Sequence, residues 1–276
     1  RPGDIAPMSL LSYREARPWS RAIKEKVVSR EMPPWHAAPG GVPIRNTRSL
    51  TEEQIDTIAA WADGGAPRGD EADLPPLPTF SAADWHHPSG RPPDHILPTP
   101  IEMQIPAEGE LPYFTLYSEI PFEDDVFAEA IEMLPSNRSV VHHMSVHVTA
   151  LPGGTVIIDG QPYGPDGERL TDEEMRAARG SASNVLSGST KLICFVPGRG
   201  FEMFRDGVAK RVPAKKYLQW SLHYNVTGQP ETDRSRIGIW VSQAPVTHEM
   251  LSRTIGSPLP TTPDRILPVV VNGEEM

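Results

Sequence analysis

From about residue 97 the chain is a succession of short alternating runs: IEMQIP, YFTLYSEI, DVFAEAIEML, VVHHMSVHV, TVIIDG, KLICFV, YLQWSLHYNV and RIGIWVSQ. Turn residues (PGG, DG, PDG, TGQP) separate them. A period of two puts successive side chains on opposite faces of a strand, so each run has one apolar face to bury. Eight or more such strands at this spacing predict an antiparallel β-sandwich or jelly roll. Thirty-one prolines, about twice the usual share, reinforce this by favouring edge strands and extended connections over long helices.

The first 72 residues read differently. In residues 9–31, Trp19, Ile23 and Val27 recur at helical spacing, and Pro18 either starts the main helix or separates it from a short preceding turn. A second helix is signalled over residues 49–65, with Thr51 as N-cap, acidic residues in the early turns, and Gly64-Gly65 as the stop. The expected organisation is a small helical domain over 1–72, a proline-rich linker over 73–97, a β-sandwich over 98–250 and an extended, proline-broken tail over 251–276. Trp85-His86-His87 reads as a clamp between the two domains, and residues 170–183 as a helical or disordered insertion.

A net charge of −10 argues against nonspecific nucleic-acid binding. Residues 1–50 nevertheless carry nine Lys/Arg against four Asp/Glu. Such a basic head suits either an acidic partner or membrane surface, or simply a solvated helix face. No apolar run approaches the roughly 18 residues of a membrane-spanning helix. The single cysteine, Cys194, excludes an internal disulfide and a CxxCH haem motif, and its setting in KLICFV predicts an inert thiol in a buried strand. Beginning at Arg1 and not Met, the chain reads as processed or trimmed, any export signal being already gone.

Three histidines among valines, His142, His143 and His147, demand a chemical reason. On a regular strand His143 and His147 share a face but lie about 13 Å apart, too far for one ion. His142 falls on the opposite face, with Met144, Val146 and Val148. Adjacent histidines converge only at a bulge or round a sheet edge. In YLQWSLHYNVTG, Leu218, Trp220, Leu222, Tyr224 and Val226 face one way, and Gln219, Ser221, His223 and Asn225 the other.

Together VVHHM and LHYNVTG resemble the first β domain of the copper type II, ascorbate-dependent monooxygenases, the class of peptidylglycine alpha-hydroxylating and dopamine beta monooxygenases. Supporting context covers roughly residues 98–245. The resemblance implies His142, His143 and His223 as a three-imidazole copper site that relays electrons, although zinc would also accept such a set. The stretches RPGDIAPMSLLSYREARPW, SREMPPWHA and RSLTEEQIDTIAAWADGGAP are similar to the cytochrome c domain fused to bacterial members of that family. There Met32 would be the distal haem ligand, with Met8 the lesser choice. Without CxxCH the chain is expected to hold no covalent haem, and Met32 then reads as a loop methionine under Trp35.

The family's oxygen-activating copper needs a HxH pair and a methionine, and no HxH occurs here. After His223 only His248 follows, with Met250 two residues on, and His248 reads as a surface residue. No catalytic residue is therefore assigned. The expected function is a noncatalytic or electron-transfer accessory, or scaffold, subunit of an extracytoplasmic redox complex, respiratory or photosynthetic. Its partners would be other subunits of a membrane-associated assembly in the periplasm. The alternative is a copper-dependent monooxygenase or oxidoreductase working through the three histidines.

Overall fold

The structure, a computed structural model, describes residues 8–35, 47–76, 85–179, 190–252, 270–271 and 274–275. Contacts divide them into a helical unit within 6–79 and a β unit within 80–254.

Local sequence rules set the helices. Ser12 caps α1 (Tyr13–Ala16), its hydroxyl accepting the Glu15 N–H. Pro18 then lies in a single 3-10 turn, Arg17–Trp19, before α2 (Ser20–Val28) begins. Proline has no N–H to donate, so two short helices replace one long one. Val27 is buried and Ile23 half-buried, but Trp19, expected on the same face, is 41% exposed. The tighter 3-10 turn takes it out of phase with α2. Thr51 and Gln54 form a reciprocal capping box at the start of α3 (Glu52–Asp63), which buries Ile55 and ends at Gly64. α2 packs against α3, with Lys24 and Asp63 paired at 2.6 Å. Met32 follows α2 with its side chain 51% exposed and is not covered as expected.

In the β unit the strands begin with β1 (His95–Pro98), β2 (Met103–Ile105), β3 (Phe114–Glu119), β4 (Val126–Leu134) and β5 (Val141–Thr149). The hairpin β6 (Val156–Ile158) and β7 (Gln161–Tyr163) precedes α4 (Asp172–Arg179), the described part of the expected insertion. β8 (Thr190–Phe195), β9 (Phe201–Met203), β10 (Val208–Val212) and β11 (Tyr217–Tyr224) follow. The last are β12 (Glu231–Asp233), β13 (Arg236–Val241) and β14 (His248–Glu249).

One main sheet has the order β3-β11-β5-β8, and the other runs β1-β13-β4-β10-β14, with β9 also on β4. Pairing is antiparallel except where β14 lies parallel to β10. Leu218, Trp220, Leu222 and Val146 of the first sheet share a core with Ile131, Met133, Ile237 and Ile239 of the second. The protein is thus mainly β, with a small N-terminal helical part.

One strand was not anticipated and one expectation needs correcting. β10, VAKRV, has no clean alternation because Lys210 is buried at 4% exposure and donates to the Leu192 carbonyl. Residues 85–94, read as linker and interdomain clamp, make their described contacts inside the β unit. Trp85 meets Trp240 edge-on at 5.8 Å, and His87 stacks on Trp240 at 5.3 Å. Glu132, buried, accepts the His86 backbone N–H at 2.8 Å. Gly238 makes room, since a Cβ there would come within 2.7 Å of the Trp85 ring. Proline content alone hid an apolar cover. The tail beyond 252 lies outside the described residues, apart from the pairing of Val270–Val271 with Glu274–Glu275.

Candidate metal centre

The β11 alternation holds as read: Leu218, Trp220, Leu222 and Tyr224 are buried, and Gln219, Ser221 and His223 are half-buried on the outer face. β5 departs from regularity where it matters. His223 pairs with His143, but Tyr224 pairs with Val141, so His142 is an extra residue, a β-bulge. The burial sequence follows: Val141 and Met144 are buried, and both histidines between them face outward. The expectation that His142 lies with Met144, Val146 and Val148 on the apolar face is therefore overturned. Two adjacent outward residues cost only one pleat.

The three rings meet. Their centroids are 4.9 Å (His142–His143), 5.0 Å (His142–His223) and 4.9 Å (His143–His223) apart. His223 Nδ1 lies 3.2 Å from His142 Nδ1 and 3.2 Å from His143 Nε2. One ligand nitrogen from each ring falls within 4.8 Å of the other two. A single ion at about 2.0–2.1 Å from each nitrogen needs such a spacing. An sp² nitrogen has one in-plane lone pair or one proton, yet His223 Nδ1 faces two other ring nitrogens. A cation would satisfy all three at once. The cluster can hold a metal ion, and among the described residues it is the one group of three or more His, Cys, Asp or Glu with that geometry.

Burial lowers the affinity of His143 and His223 for protons. For His143 desolvation leads, followed by the charges of His142 and His223; for His223 desolvation again leads, then His142. Both are held in the neutral form that binds metals. His142 is the most open of the three.

Comparison with known protein families and with curated proteins returns no match. The site therefore rests on its own geometry.

Tyr113 was not anticipated. It lies one step beyond the Leu222–Phe114 pair of β11 and β3, stacks on His223 at 4.3 Å and 11°, and brings its hydroxyl within 3.2 Å of His143 Nε2. Nothing in YFTLYSEI signals this, because the contact depends on strand register. Asp233 was missed for the same reason. Its buried carboxylate accepts the Ser136 N–H and hydroxyl and the Asn137 N–H on Oδ1, and the Tyr224 and Ser235 hydroxyls on Oδ2. Asn225 N–H donates to Val140 O. Both flanks of the bulge, the β4–β5 turn and the end of β11, are thereby tied together. Tyr224 stays protonated, its phenol pushed far up by burial and then by Asp233.

The other candidates lie apart. His147 pairs with Gln219, outside the three-ring cluster. His248 is exposed and contacts Thr247 Oγ1 at 2.9 Å. Cys194 is on a strand as expected, but half-buried and not buried, opposite Ser145. No described helix is long and apolar enough to cross a membrane.

Proposed function

We propose that the protein carries one copper ion on His142, His143 and His223 and serves as an electron-transfer accessory subunit of an extracytoplasmic redox complex. The observation that supports this best is the convergence of three imidazole nitrogens at the β5 bulge. Three neutral imidazoles suit both Cu(I) and Cu(II), and the set contains no carboxylate that would favour a harder ion. Zinc fits the same ligands, so redox behaviour is the discriminating property. The sequence resemblance to the first domain of the copper type II monooxygenases supplies the metal's identity, the periplasmic setting and the partners, namely other subunits of a membrane-associated assembly.

The test is copper titration of metal-free protein followed by electron paramagnetic resonance. One equivalent of Cu(II) with a signal lost in His223→Ala, at unchanged circular dichroism, is expected. Binding of zinc but not copper, or a copper signal indifferent to His223, would sink the reading. The openness of His142 favours a second reading, a copper-dependent oxidoreductase or monooxygenase, because three protein ligands leave a position for substrate. Ascorbate-dependent oxygen uptake by the copper-loaded chain alone would select it.

A further inference from the structure

The outer face that carries the histidines continues into a cleft of about 320 Å³ between β3, β11, the β7 region and α4. Thr115 lies at its near edge and pairs with Ser221, two residues from His223. Gln219 lies two pleats further along β11 from His223, about 13 Å away.

Two guanidiniums, Arg169 and Arg176, line this cleft. Among the described residues neither is paired with a carboxylate: Arg169 donates to Gln161 Oε1, and Arg176 Nε donates to the Asp172 carbonyl at 3.1 Å. Gln161 in turn donates from Nε2 to the Thr115 carbonyl at 3.1 Å. Arg169 is therefore held in place by an amide fixed to β3, and its other side-chain N–H groups make no hydrogen bond to a described residue. The Gln219 carboxamide, half-buried in the cleft wall, makes no hydrogen bond to any described residue. Two cations lining one cleft in a chain of net charge −10 call for an anionic partner. With the Asp172 carboxylate also lining the cleft, the local balance is a single positive charge. That matches a monoanion better than a dianionic phosphate.

We infer that this cleft binds a small organic carboxylate, gripped by Arg169 and Arg176 through charge-assisted hydrogen bonds and oriented by Gln219. Its volume is that of a metabolite-sized ligand. The inference rests on the cleft and not on the copper reading, and either can fail alone.

The metal-free and the copper-loaded chain are titrated at low ionic strength with benzoate, with its neutral isostere benzamide, and with inorganic phosphate. Calorimetry and the Gln219 side-chain amide resonance provide the readouts. Saturable benzoate binding in both forms, absent for benzamide and weakened about tenfold or more in Arg169→Gln and in Arg176→Gln, is expected. Both arginines are exposed, so neither replacement threatens the fold, and Gln219→Glu should abolish binding by like-charge repulsion. Benzoate bound only by the copper-loaded form would put the anion on the metal and overturn the inference. Tighter binding of phosphate than of benzoate, or benzoate binding unchanged in both arginine variants, would overturn it too.

Discussion

At the residue scale the centre turns on how few atoms each ring can satisfy. His143 Nε2 faces both the Tyr113 hydroxyl and His223 Nδ1, each at 3.2 Å. A metal taking that nitrogen must displace the hydroxyl. Removing the hydroxyl while keeping the stacked ring takes that competition away, so Tyr113→Phe should tighten metal binding. A typical net hydrogen bond of about 0.5–1.5 kcal/mol corresponds to roughly two- to tenfold in affinity. Competition titration against a chelator measures it. Weaker binding in the phenylalanine variant would show that the phenol supports the metal instead of opposing it.

At the scale of elements, one inserted residue makes the centre. β5 and β11 would pair regularly if His142 were absent, because Val141 already lies opposite Tyr224 and His143 opposite His223. Deleting His142 should therefore close the bulge, leave the inward Val141 and Met144 in place, and remove one ligand. The expected outcome is an unchanged far-ultraviolet circular dichroism spectrum. Metal affinity should fall by more than the roughly 10–100-fold typical of a lost outer-shell partner. Metal affinity equal to that of the parent chain would contradict the geometry. The apolar framework around the bulge is robust, since Trp220, Leu218 and Val146 are each fully buried. Asp233 ties the two flanks together with side-chain and backbone donors alike, so the element keeps its irregular shape without metal.

For the whole molecule, pH links the centre to stability. His143, His147 and His223 all have proton affinities below the ordinary value of 6.5, with desolvation the leading cause in each. Lys191 adds to the effect at His147. Below about 6.5 the unfolded chain binds protons that the folded chain refuses, so stability is full above that value and declines as pH falls through it. The carboxylates held low by hydrogen bonds and cations, such as Asp125 and Asp94, act in a lower pH window and leave this one clear. Melting of the metal-free protein should therefore drop between pH 7.5 and 5.5. Acid should also weaken metal binding, because protons compete for the same nitrogens. A melting temperature that rises on going to pH 5.5 would refute the burial argument.

How much of this was written in the chain can be judged residue by residue. Period-two alternation placed Leu218, Trp220, Leu222 and Tyr224 inward and His223 outward. The Thr51 cap and the Gly64 stop bounded α3, because those signals act over three or four residues. The same logic put His142 on the wrong face, since a bulge is a property of two strands and cannot be inferred from the period of one. Residues 85–94 looked like a linker because prolines are visible in a sequence, and the aromatic face of β13 that they cover is not. Tyr113 lies roughly a hundred residues from His223, and Asp233 about as far from Ser136 and Asn137 in the β4–β5 turn, and no local pattern joins them. Sequence by itself determined eight of the strands, β2 to β6, β8, β11 and β13, most of their inward side chains and which three imidazoles were worth watching, all consequences of short-range sterics and apolar burial. Only the tertiary structure decided that those imidazoles share one point and that two arginines face one cleft, because both depend on register between strands distant in the chain.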